Sequence, residues 1–127
     1  MAKIVRELVF STPNRIGILS RVSDALKSAG VNILHATACC EGSSGYFCLV
    51  TSNNNRAVSA LKKIGIRPRQ QKALLVSLRN RSGALAQKAR RLAKAKINVK
   101  GISATSAGNR VSLVLRTNND AKAARLV

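Results

Sequence analysis

The spacing of apolar positions along the chain changes repeatedly, and each change predicts an element. Ile4 to Phe10 is rich in β-formers (Val5, Val9, Phe10) and ends at the turn Ser11-Thr12-Pro13-Asn14, which predicts a strand. Ile18, Leu19, Val22, Ala25, Leu26 and Ala29 then recur at helical spacing, with Arg15, Arg21 and Lys27 on other faces and Gly30 as the terminator. Val31 to Cys40 reads as a strand, Glu41 to Gly45 as a hairpin turn, and Tyr46 to Thr51 as the return strand. Ser52 to Asn55 offers N-caps for a short helix carrying Val58, Leu61 and Ile64, closed by Gly65. From Ile66 the chain is expected to be extended, because Pro68 excludes a helix.

The same order then returns. Ala73 to Leu78 predicts a strand, and Leu85, Ala89, Leu92 and Lys96 mark one face of a helix. Ile97 to Thr105 and Val111 to Leu115 predict two strands around a tight turn at Gly108-Asn109, and Thr117 to Asp120 caps a last helix through Leu126. Asn14-Arg15-Ile16-Gly17-Ile18-Leu19 recurs 66 positions later as Asn80-Arg81-Ser82-Gly83-Ala84-Leu85. Each copy carries a second amide 18 residues on, Asn32 before Ile33 and Asn98 before Val99. Matching Asn53 and Asn54 to Asn118 and Asn119 implies that the offset slips to 65 within the hairpin. A repeat of this length means two copies of one small unit.

Each copy therefore reads as β-α-β-β-α-β, a split βαβ or ferredoxin-like unit. The expected fold is α+β: two antiparallel sheets with helices on one face, copies at 1–70 and 71–127, the second lacking its last strand. That missing strand would leave a sheet edge unpaired. The segment 66–79, or a strand from a second subunit, is expected to fill it.

Composition narrows the partners. The 127 residues are 46% hydrophobic but only 2% aromatic, so the core must be built from Leu, Val, Ile and Ala. No apolar run approaches the ~20 residues of a membrane span, and the N-terminus does not resemble a signal peptide; a soluble cytoplasmic protein is expected. Cys39, Cys40 and Cys48 match no metal spacing and are expected as buried reduced thiols, with a Cys40–Cys48 encounter across the hairpin as the alternative. The net charge is +19. It is lopsided, and it favours polyanionic partners while saying little about fold.

The duplicated signatures are the candidate chemistry. A glycine-bearing turn at a helix start exposes free backbone N–H groups that favour a carboxylate. An amide side chain offers both a donor and an acceptor. Two amides and an open helix N-terminus could thus hold a zwitterion.

The pattern Asn-Arg-x-Gly-x-Leu, a helix, and then a β-branched residue, Asn and another β-branched residue resembles the ACT domain, a regulatory module of amino-acid metabolism. The resemblance spans nearly the whole chain, as two copies with no attached enzyme. It is similar in pattern to the regulatory domain of phosphoglycerate dehydrogenase, where two amides at this spacing hold an effector serine between ACT domains. The resemblance implies ligand contacts at Asn14, Arg15, Ile16, Gly17, Ile18, Asn32 and Ile33, and at Asn80, Arg81, Ser82, Gly83, Ala84, Asn98 and Val99. That family also uses a His two residues before the turn Asn; here Thr12 and Leu78 stand there. His35 does not replace it by sequence.

The function expected is an amino-acid-binding regulator or sensor, a homodimer without cofactor or metal, whose basic surface suggests an acidic protein or nucleic acid as a second contact. The alternative is a basic nucleic-acid-binding or scaffold module on the same fold. The RNA recognition motif shares this element order, but its stacking aromatics are nearly absent here. One His and four scattered acids argue against an enzyme.

Overall fold

The computed structural model describes residues 2–127. Its elements are β1 (Ala2–Pro13), α1 (Ile18–Ser28), β2 (Ile33–Glu41), β3 (Ser44–Thr51), α2 (Asn54–Lys63), β4 (Arg69–Arg79), α3 (Ala84–Lys94), β5 (Val99–Ala107), β6 (Arg110–Thr117) and α4 (Asp120–Ala124). They form two compact units. One is Arg6–Gln71, and the other is Lys72–Val127 together with the residues up to Val5.

In the first unit the strand order is β2-β3-β1, with the opening residues of β4 beyond β1. Alternation sets the buried face. Leu8 lies opposite Leu49 and Phe10 opposite Phe47, and all four are buried under Val22 and Leu26 of α1 and Ala57 and Leu61 of α2. Val22 and Leu26 are four apart, the spacing that keeps one helix face on a sheet. Phe10 and Phe47 stack with ring centroids 5.0 Å apart. The side chain of Asn53 caps α2 by accepting from the Arg56 N–H at 3.0 Å.

In the second unit the order is β5-β6-β4, with the first residues of β1 beside β4. Leu74, Val76, Leu78, Leu113 and Leu115 face Leu92 of α3 and Ala123 of α4. The place of the missing last strand is therefore taken by residues up to Val5 rather than by 66–79. The extended stretch expected from Ile66 and the strand expected at Ala73–Leu78 merge instead into the single strand β4. It begins in one unit and continues in the other.

The repeat keeps its offset of 66 throughout. Asn53 Oδ1 accepts from Arg56 N–H, and Asn119 Oδ1 accepts from Lys122 N–H. Thr51 donates its hydroxyl to Asn54 Oδ1 at 2.6 Å, and Thr117 donates to Asp120 Oδ1 at 2.6 Å. Ala57 and Ala123 are both fully buried. The slip to 65 expected from the asparagine runs is therefore wrong, because the cap is chosen by its place at the strand end and not by residue identity.

Two expectations about the cysteines also fail. Cys39 and Cys40 are exposed, because β2 is an edge strand with neighbours on one side only. Cys40 lies opposite Gly45, while Cys48 lies opposite Thr37, so Cys40 and Cys48 do not face one another.

Candidate functional site

The two signature turns are built alike. Gly17 (φ 86°) and Gly83 (φ 82°) adopt the left-handed conformation just before α1 and α3, one that an L side chain resists. Ile18 N–H reaches back to Arg15 O at 3.3 Å and Arg21 N–H to Gly17 O at 2.9 Å. In the second copy Ala84 N–H donates to Arg81 O and Gln87 N–H to Gly83 O. Among the described residues, the intervening N–H groups of Leu19 and Ser20, and of Leu85 and Ala86, have no backbone partner. These are the free donors of a helix N-terminus, and neither first turn carries an acidic residue to occupy them.

The turn amides clasp the neighbouring hairpin. Asn14 Nδ2 donates to Gly42 O at 3.1 Å, and Asn80 Nδ2 donates to Gly108 O at 2.9 Å. Their backbone N–H groups donate to Ser43 O and Asn109 O, each at 2.8 Å. The amide nitrogen is thus engaged within the unit, and the amide oxygen has no described protein partner. Arg15, Ile16, Arg81 and Ser82 are exposed on the turns, with Ile16 fully so.

The second amide of each copy lies at the far end of the sheet. Asn32 N–H donates to Ser52 Oγ at 2.9 Å, and Asn98 N–H donates to Asn118 Oδ1 at 3.0 Å. No described bond engages either amide side chain, and both residues are exposed. The nine residues of β2 separate Asn32 from the hairpin that Asn14 clasps, about 30 Å at ~3.3 Å per residue. The structure therefore brings Asn14, Arg15, Ile16, Gly17 and Ile18 together, and likewise Asn80 to Ala84. It does not bring Asn32 and Ile33 to the first cluster, nor Asn98 and Val99 to the second.

Concave surface accompanies both ends. A depression of about 390 Å³ at the second turn is lined by Arg81, Gly83 and Ala84 and by Thr105 and Ser106 of β5. One of about 440 Å³ holds Asn32 together with Lys27 and Gly30. A larger cavity, about 540 Å³, lies between α1 and α2 and touches none of the signature residues.

Sequence reasoning missed the residues that hold these amides. Gly42 and Gly108 supply the carbonyls, and Ser52 and Asn118 fix the strand starts. Each pair was visible 66 positions apart. Thr12, named above as standing where the resembled family has a His, is 6% exposed with Oγ1 lacking any hydrogen-bond partner. A Cβ on the facing Gly45 would come within 3.1 Å of that oxygen, so the glycine makes room for the hydroxyl. Leu78 stands in its place in the second unit.

The model of a family described as an ACT domain pair matches residues 3–127. Among solved structures, a protein of Bacteroides thetaiotaomicron superposes with a TM-score of 0.91 at 21% identity, covering 98% of this chain and 87% of its own. The ligand-free regulatory subunit of aspartate kinase from Thermus thermophilus gives 0.72 at 16% identity, covering 98% and 93%. The corresponding subunit from Thermus flavus gives 0.66 at 16%, covering 99% and 90%. A search of curated proteins found none that matches. The chain belongs to the ACT domain-pair family.

Proposed function

We propose that the protein is a non-catalytic regulatory module that binds an amino acid between ACT units of two copies of the chain. The carrying observation is the separation of the two amides within each unit. Turn and strand-start asparagines lie about 30 Å apart, too far to share one small ligand. They meet if an edge strand of one copy runs antiparallel beside an edge strand of a second. The Asn32 end of one β2 then adjoins the Asn14 end of the other. The effector's carboxylate takes the free N–H groups at the start of α1 or α3, and its ammonium takes an asparagine oxygen. Membership of the ACT domain-pair family and the likeness in fold to aspartate kinase regulatory subunits support this reading.

The test is a thermal-shift screen against the twenty amino acids at moderate salt, with sedimentation velocity on any that bind. A native-state ligand raises the melting temperature by mass action. A selective shift that vanishes in Asn14→Ala/Asn32→Ala supports the reading, and retained affinity in that double variant refutes the site. The charge of +19 and the exposed Arg90, Arg91 and Lys94 of α3 favour a second reading, sequence-independent polyanion binding. Its mark is a binding constant whose logarithm falls linearly with the logarithm of the salt concentration.

A further inference from the structure

The second unit holds an apolar cavity. It measures about 230 Å³ and lies beneath α3, walled by apolar side chains of α3, β4, β5 and β6, with Lys88 as its one polar lining residue. Its origin follows from comparing positions 66 apart. In the first unit the stacked Phe10 and Phe47 and the buried Val22 fill the space between helix and sheet. The second unit has Val76, Leu113 and Lys88 at those positions. Two rings are lost from the core, and the larger Leu78 and Ile102, which stand where the first unit has Thr12 and Ala36, line the space without closing it. Leu85 and Ile102, each 46% exposed, stand among the lining residues. Leu78 and Leu85 also wall the depression at the Arg81–Ala84 turn, so the two spaces adjoin.

We infer that this cavity receives the side chain of the bound effector, so that the second unit selects a large apolar amino acid such as leucine, methionine or phenylalanine. The inference rests on the amino-acid-binding reading above and adds a ligand class to it. Size permits it, since a dry apolar cavity of ~150 Å³ accommodates benzene. Chemistry selects for it. Apolar walls offer nothing to a hydroxyl, amide or carboxylate side chain, whose burial without a partner is unfavourable. Lys88 opposes a cationic one. The turn of the first unit cannot select in this way, because Phe10 and Phe47 already occupy the corresponding space.

The first unit supplies the test. Val76→Phe with Leu113→Phe installs its aromatic pair in the second, and Leu85→Ser makes the exposed part of the wall polar without touching the buried core. Calorimetric titration of the full chain should show L-leucine or L-phenylalanine binding, with L-serine, L-aspartate and L-lysine far weaker. Ligand should shift the methyl resonances of Ile102 and Leu115. Affinity should fall by about tenfold or more in the filled variant, the scale of burying such a side chain, and severalfold in Leu85→Ser. If the filled variant does not fold, the methyl shifts and Leu85→Ser decide. Preference for a polar amino acid, or unchanged leucine affinity in Leu85→Ser and the filled variant, overturns the inference while leaving amino-acid binding intact. No binding by any amino acid overturns both.

Discussion

Replacing the signature asparagines one at a time separates architecture from ligand binding. Asn14→Ala removes the Nδ2 bond to Gly42 O at 3.1 Å, and Asn80→Ala the bond to Gly108 O at 2.9 Å. A net hydrogen bond contributes about 0.5–1.5 kcal/mol, and both residues are exposed, so water solvates the abandoned carbonyl and the cost stays in that range. With about 2.1 cal/mol/K of unfolding entropy per residue, the 127-residue chain loses about 4 °C of Tm per kcal/mol. Each turn variant should therefore melt about 2–6 °C lower. The two sites share no hydrogen-bond partner, so the double variant should be additive to within about 0.5 kcal/mol. Asn32→Ala and Asn98→Ala remove side chains that make no described bond, and should stay within about ±0.5 kcal/mol, or 2 °C, of the parent. All four should weaken the amino-acid-induced rise in Tm. Differential scanning calorimetry without and with ligand measures both effects. A loss of Tm in Asn32→Ala as large as in Asn14→Ala would refute the division of labour, as would an unchanged Tm in Asn14→Ala.

Other outcomes follow from the same geometry. Gly17→Ala and Gly83→Ala meet no atom within 4 Å, so each should cost only the left-handed backbone penalty, about 1–2 kcal/mol, in urea unfolding. Thr12→Val should leave stability equal or higher, because it removes a buried hydroxyl with no partner at nearly constant shape, and such a group costs about 1–3 kcal/mol when left unsatisfied; a drop in Tm would show that the hydroxyl is bonded in solution. Leu26→Ala, at a fully buried position, should cost about 2–5 kcal/mol by opening a cavity. Ala38→Lys on β2 and Ala104→Lys on β5 place charge on exposed edge strands; in sedimentation each should block the pairing of copies proposed above while preserving the circular dichroism spectrum.

Local chemistry made much of this protein legible in one dimension. Of the glycines expected at turns and helix ends, Gly17, Gly30, Gly42, Gly65, Gly83 and Gly108 have positive φ, whereas Gly45, expected in the hairpin turn, lies within β3. The caps fall within the expected asparagine runs, and both hairpins turn where the polar residues cluster. Such features depend on a few neighbouring residues, and the repeat states them twice. The family followed from the same local signature. The candidate site was only half legible for the same reason. Sequence spacing placed each turn amide at a helix start but could not show that the nine residues of β2 carry Asn32 to the opposite end of the sheet.

Tertiary structure decided what depends on partners distant in sequence. The residues up to Val5 join the second unit, and β4 serves both, because a sheet pairs whatever strand lies alongside its open edge. Cys39 and Cys40 are exposed because β2 has a neighbour on one side only, a property of strand order that no residue on β2 encodes. The 230 Å³ cavity arises because Val76 faces Leu113 where the other unit stacks Phe10 on Phe47. The sequence determined which residues each element carries. Cross-strand register, set by the packing of the whole unit, determined which of them meet.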